Sequence, residues 1–307
     1  MELYDTLVLS GGGVKGFCLL GAVQASLDSG LLKPSTFVGT SAGSMVCYLL
    51  AIGYTPIEIV VSLSSNHWLE RLQHFNLVAM INGNGSTSFT GLHEGLEKLT
   101  INKIGKFITL GKLKEEFGKI LICVTYNMTT CRTEYLGPDN YPDLPCLTAI
   151  RMSSNIPLVF ERFKYMDNYY VDGGISDNFP ILKGQELGNK VLGLYLEFPE
   201  RSMQDNPEDG MMAYFMRLLQ VPIFQSTKFK ISQVNTSRCK VISIKTGELR
   251  NPIEFDVKSK VRLDMFSMGY NSVKEALSDS EKKSDSEKND KEDNSETTLL
   301  NNIDLLD

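Results

Sequence analysis

Two strand-turn-helix units follow one another within the first fifty residues, and each is hinged on glycine. Thr6-Leu7-Val8-Leu9-Ser10 is a short apolar run that ends in Gly11-Gly12-Gly13, after which Phe17 to Leu27 repeats its apolar residues at helical spacing. Thr36-Phe37-Val38-Gly39 reads as a second strand, and Ala42 to Ile52 as a buried helix that begins directly after a turn at Ser41. Successive units of this kind argue for an α/β fold with parallel strands. Further strands are expected over Lys119 to Tyr126, Lys190 to Phe198 and Lys240 to Lys245. Helical pattern covers 57–64, 90–100, roughly 210–235 and 257–277, and 75–89, rich in Asn, Gly and Ser, reads as a mobile loop.

Charge divides the chain in two. Ten of the 37 acidic and four of the 31 basic side chains fall in 278–307, which leaves 27 of each sign in the body. The tail has almost nothing apolar to bury before Leu299, so its composition predicts disorder, and the domains expected are 1–277 and an acidic tail at 278–307. A neutral body gives no support to nucleic-acid binding. With 42% hydrophobic residues, that body can bury the core of an enzyme. The six cysteines, Cys18, Cys47, Cys123, Cys131, Cys146 and Cys239, lack metal-ligand spacing and lie mostly in apolar runs, which reads as reduced thiols in the cytoplasm. No signal peptide is visible and no apolar run reaches the length of a membrane span, so any membrane contact is expected to be peripheral.

Three segments carry chemistry. Gly39-Thr40-Ser41-Ala42-Gly43 is a Gly-x-Ser-x-Gly between strand and helix, where small neighbours let the two elements close around a strained serine. The helix that starts there points free N–H groups at the nucleophile. Gly11-Gly12-Gly13-Val14-Lys15-Gly16 leaves backbone donors unobstructed for an anion. It also satisfies the dinucleotide fingerprint Gly-x-Gly-x-x-Gly, but the acid expected at the end of the next strand is missing, Asp28 lying inside the first helix. Asp172-Gly173-Gly174 places an uncrowded carboxylate at a strand end, although a hairpin turn is the commoner meaning of such a tripeptide. A serine nucleophile needs a base, and the histidines are His67, His74 and His93. The order Ser, acid, His is impossible here, so a displaced histidine or a carboxylate must serve.

Taken in order, these motifs resemble the patatin-like phospholipase family over about residues 5–185. Ser153-Ser154-Asn155-Ile156-Pro157 adds a fourth similarity, to the family's Ser-x-Ile-Pro segment. The chain departs from the pattern at Lys15, where many members have Arg, and at Asn155, where Ala is commoner. Lys gives up a planar bidentate donor, so looser anchoring of the loop is expected. The resemblance implies a three-layer α/β/α fold with a mostly parallel central sheet. It implies hydrolysis of phospholipid or lysophospholipid esters by a Ser41–Asp172 dyad, without metal or cofactor. The oxyanion would be held within Gly11, Gly12, Gly13 and Val14, supported by Lys15, Gly16, Gly39, Gly43, Gly173 and Gly174. Its partners would be a lipid substrate and a membrane surface, with oligomeric state open. Two rivals stay open: a nucleotide-binding oxidoreductase that uses the Gly11–Gly16 loop, and a catalytically silent lipid-binding protein. A further expectation concerns the Met-rich run 211–224, which reads either as a core helix or as an apolar surface for acyl chains.

Overall fold

The computed structural model describes residues 3–65, 85–197, 211–246 and 258–279. Strand β1 (Tyr4–Leu9) leads through a 3-10 turn (Gly13–Lys15) into helix α1 (Gly16–Asp28), and β2 (Leu32–Thr40) leads through Ser41 into α2 (Ala42–Ala51). Both glycine-hinged units are present. The chain continues through α3 (Pro56–Ser65), α4 (Thr90–Ile104), α5 (Leu110–Phe117), β3 (Ile120–Asn127), β4 (Arg132–Leu136) and α6 (Cys146–Ser153). Strands β5 (Phe163–Tyr165) and β6 (Asn168–Asp172) precede α7 (Gly174–Asp177), α8 (Ile181–Leu187), β7 (Val191–Glu197), α9 (Met211–Ser232) and β8 (Cys239–Lys245). A last helix, α10, covers 259–279. Residues 75–84 of the expected loop, and the tail from 280 on, lie outside the described residues.

The strands form one mixed sheet in the order β5-β6-β3-β2-β1-β7-β8, with β4 paired to β3. The run β3-β2-β1-β7-β8 is parallel, while β4, β5 and β6 join antiparallel. Alternation along each strand sends side chains to two faces. Leu7, Leu9, Phe37, Leu121 and Leu194 join the larger core beneath α1 and α2. Val8, Val38, Ile122 and Val191 meet Phe179 and Ile181 on the opposite face. Helices cover both faces, giving three layers. Among the described residues no single helix is long and apolar enough to cross a membrane.

Two packing details place the rest. Helices α1 and α10 touch backbone to backbone: a Cβ on Gly21 would lie 1.8 Å from the Phe266 carbonyl oxygen, and one on Gly269 would lie 1.8 Å from that of Cys18. On β3 the partner changes along one edge. Thr40 of β2 is registered with Val124, and Asp172 of β6 is registered with the next residue, Thr125. Because β4 occupies the other edge of β3 over these residues, β6 takes over where β2 stops. The residue that follows Thr40 and the residue that ends β6 are thereby brought side by side.

Candidate active site

Ser41 sits at φ 54 and ψ −125, a positive φ that costs a non-glycine residue about 1–3 kcal/mol and persists only when its surroundings fix it. They do so on each side. Its N–H donates to Ser153 Oγ at 3.0 Å, and its carbonyl accepts from the Ser44 N–H at 2.9 Å and from Ser44 Oγ at 2.6 Å. A Cβ on Gly39 would lie 2.6 Å from the Gly43 carbonyl carbon, and one on Gly43 would lie 2.5 Å from the Ser10 carbonyl oxygen. Both flanking glycines are therefore steric requirements of the turn. Although Ser41 is the N-cap of α2, its hydroxyl does not cap the helix, which leaves the oxygen at the positive end of ten residues of aligned dipoles.

Asp172 is held from three directions. Its N–H donates to the Asn155 carbonyl at 2.9 Å, its Oδ1 accepts from the Gly174 N–H at 2.7 Å, and the next N–H, of Gly173, reaches the Ser153 carbonyl at 3.2 Å. A Cβ at position 173 would lie 2.2 Å from the Val124 carbonyl oxygen, so the chain passes β3 too closely for any side chain there. The tripeptide does not make a hairpin: Gly173 opens α7 instead. Burial pushes the Asp172 carboxyl up to about 6, and the Ser41 hydroxyl and the Gly174 N–H pull the other way. The second oxygen, Oδ2, has no well-aligned hydrogen bond of its own. A rotatable hydroxyl accounts for both facts, since Ser41 approaches the carboxylate without yet aiming at it. Such looseness is common before substrate binds.

The glycine loop separates into residues that shape and residues that point. Gly11 donates its N–H to the Asn178 carbonyl at 3.0 Å. A Cβ there would meet Asn178 Oδ1 at 2.4 Å and Ser41 Cβ at 3.2 Å, so this glycine supplies room and not a free donor. The N–H groups of Gly12, Gly13 and Val14 make no hydrogen bond to a described residue. Gly13 has φ 56, where glycine is at ease. Lys15 is buried, its Nζ 3.3 Å from Thr246 Oγ1, and Thr246 in turn donates to the Glu197 carbonyl at 3.1 Å. Burial draws the Lys15 ammonium down to about 8. The lysine thus ties the loop to the ends of β7 and β8, a firmer anchorage than the Arg-to-Lys change suggests. For a dinucleotide the arrangement lacks its acid: Asp28 closes α1 and accepts from Gln24 and from Tyr270 of α10 at 2.8 and 3.0 Å.

Between α1, α2, α3 and α4 an apolar cavity of about 100 Å³ opens onto Ser41, walled by Leu20, Leu49, Ile59, Leu63, Leu96 and Phe160. Behind Phe160 lies a feature that sequence reasoning missed. Arg151 is buried with its guanidinium 4.2 Å from the Phe89 ring centre and 4.9 Å from that of Phe163. It donates to Asn155 Oδ1 at 2.6 Å and to Glu161 Oε1 at 3.0 Å. Asn155 Nδ2 donates to the Tyr170 carbonyl at 2.8 Å. The Asn at 155 is thus the link between a caged cation and the strand that carries Asp172. On the far side of that aspartate, Asp177 accepts from Tyr135 Oη at 2.7 Å and lies 2.7 Å from Lys230 Nζ of α9, which fixes α7.

The remaining candidates lie apart. His93 is on α4, 3.5 Å from Glu97 one turn on, while His67 and His74 are outside the described residues. Among the described residues no three His, Cys, Asp or Glu side chains converge as metal ligands would. Of the run 211–224, Tyr214, Leu218 and Val221 are exposed on α9. Comparison with known proteins points one way. A family model described as patatin-like phospholipase matches residues 7–183. The probable lipid hydrolase 463L of Invertebrate iridescent virus 6 is 39% identical over 186 residues, 59% of this chain, and the match spans 63% of that protein's length. Among solved structures, VipD from Legionella pneumophila superposes with a TM-score of 0.51 at 17% identity, covering 90% of this chain and 67% of that one. The type III effector protein ExoU gives 0.50 at 15% identity, covering 90% and 53%. At such identities the two structures speak for the fold.

Proposed function

The chain belongs to the patatin-like phospholipase family, and on that footing we propose that it hydrolyses acyl ester bonds of phospholipids or lysophospholipids, as a phospholipase A, through Ser41 and Asp172. The observation that carries the proposal is the change of partner on β3, which sets Ser41, a serine on the wall of an apolar cavity, against a buried carboxylate. Ser41 Oγ attacks the ester carbonyl while Asp172 takes the hydroxyl proton. A carboxyl lifted to about 6 is a better base than an ordinary aspartate and is still mostly ionised at neutral pH. The oxyanion that forms is met by the N–H groups of Gly12, Gly13 and Val14, each such donor being worth about 2.7–4 kcal/mol in comparable sites. Gly11 keeps the loop close to Ser41 without donating. The acyl chain lies along the cavity wall, and water releases it from the acyl-enzyme. The proposal extends to work at a membrane surface in the cytoplasm, a setting in which unpaired cysteines stay reduced.

Fatty-acid release from mixed phospholipid vesicles, with chelator present, tests the reading. Wild type is expected to release fatty acid, and Ser41→Ala and Asp172→Asn to lose on the order of 10³-fold or more in kcat. A fluorophosphonate is expected to label wild type and not Ser41→Ala. Full activity in both variants would sink the dyad, and vesicle binding without release would make the protein a lipid binder instead.

A further inference from the structure

Ser154 has no task in the dyad chemistry so far described, yet it is one of the few polar residues on the cavity wall. It is 2% exposed, and it lines the same cavity as Ser41. Its Oγ is fully buried and makes no hydrogen bond to a described residue. Burying a hydroxyl without a partner is destabilising, and such groups in folded proteins call for an explanation. Ser153, immediately before it, spends its own Oγ on the Ser41 N–H. The backbone on both sides of Ser154 is tied to the Asp172 segment. The Ser153 carbonyl accepts from Gly173 N–H and the Asn155 carbonyl from Asp172 N–H, so Ser154 is strapped across the dyad aspartate by a hydrogen bond on either side. Two buried oxygens without an aligned partner thus belong to residues next to Ser41: Ser154, on the same cavity wall, and Asp172, which the Ser41 hydroxyl approaches.

We propose that Ser154 is the positioning residue for the water that cleaves the acyl-enzyme, holding it between its own Oγ and Asp172 Oδ2. The proposal rests on the hydrolase reading above. While Ser41 is free, its hydroxyl proton is the one Asp172 receives. Once Ser41 is acylated it has no proton to offer, and Asp172 Oδ2 becomes an acceptor for water. A water confined in an apolar cavity needs two or more polar partners, and Ser154 supplies the second. The water oxygen bonds to the acyl carbon, its proton passes to Asp172 and from there to Ser41 Oγ, and the bond between acyl carbon and Ser41 Oγ breaks. One water is consumed, and free fatty acid and the Ser41 hydroxyl are restored. An apolar wall without Ser154 would leave the acylation step intact and the water unaligned.

Partition of the acyl group separates this role from a structural one, because it counts only molecules that have already been acylated. With a p-nitrophenyl ester of a medium-chain fatty acid, the acyl-enzyme is offered water and added hydroxylamine, an amine that attacks esters without a general base. In Ser154→Ala the hydroxamate-to-acid ratio is expected to rise about tenfold over wild type, the equivalent of one lost hydrogen bond, and Ser154→Thr, which keeps the hydroxyl, to hold the wild-type ratio. Should Ser154→Ala fail to fold, Ser154→Cys keeps the volume, weakens the donor and is expected to shift the ratio in the same direction. An unchanged ratio in a folded Ala or Cys variant overturns the assignment of Ser154 alone. Nitrophenolate release that survives Ser41→Ala overturns the Ser41–Asp172 reading and this one with it.

Discussion

A carboxylate buried at position 172 is ionised at the expense of the folded state. Burial lifts its pKa to about 6, whereas in the unfolded chain an aspartate titrates near ~3.9. Below about pH 4 the group is neutral in both states and costs nothing; as pH rises through 6 the unfolded chain has already released its proton, and the folded state gives up as much as about 3 kcal/mol. Asp172→Asn is therefore expected to melt higher than wild type at about pH 8 and to lose that advantage below about pH 4, as read by thermal unfolding at the two pH values. Activity should follow the same proton in the opposite sense. The base proposed above works only when ionised, so kcat/KM is expected to fall on the acid side with a midpoint of about 6. A midpoint near ~4, the ordinary aspartate value, would mean that the working base is not this buried group.

Among the elements, the sharpest test is the crossing of α1 and α10. The atoms that a Cβ on Gly21 would strike are backbone atoms of Phe266 and Tyr270, which cannot rotate away. Gly21→Ala is expected to force the helices apart and cost about 3 kcal/mol. Gly30, with φ 69 and nothing within 4 Å of a Cβ, is its control, and Gly30→Ala should cost only the left-handed backbone term of about 1–2 kcal/mol. Urea midpoints of the two variants decide the matter. The units β1-α1 and β2-α2 were legible in the sequence because glycine hinges and apolar periods are local signals. Helix α5 was not singled out, although Thr109 caps it by accepting from Lys112 N–H and Gly118 closes it in the left-handed conformation. Arg151 was beyond such reading, since a charged residue at the end of a helix looks solvated until Phe89, from a segment about sixty residues earlier, closes around it with Phe160 and Phe163. The same holds for the hydrogen bond from Ser41 to Ser153, which joins residues 112 apart in sequence. Ser41 and Asp172 could be picked out by residue type and resemblance; their adjacency depends on the register of β3, which no local pattern encodes.

For the molecule as a whole, α10 completes the larger core: Met265 and Val273 are buried in it beside residues of α1 and α2. A chain that stops at residue 257 would bare that side of α1, and it is expected to lose the sigmoidal melt and compact elution of the full chain. A chain that stops at 279 keeps the helix and sheds only residues whose composition offers little to bury, so its melting temperature should match wild type. Circular dichroism and size-exclusion chromatography on the two truncations distinguish these outcomes. The exchange of β2 for β6 along one edge of β3 bears on when Ser41 and Asp172 first meet. Pairing of this kind between distant strands is slow compared with local structure. A growing chain on the ribosome can build β1, α1, β2 and α2 and display its strained serine while the aspartate is still unmade or undocked. On the function proposed above, a chain assembled in this order stays inactive until β6 has docked on β3, and during refolding the return of activity dates the closing of the sheet.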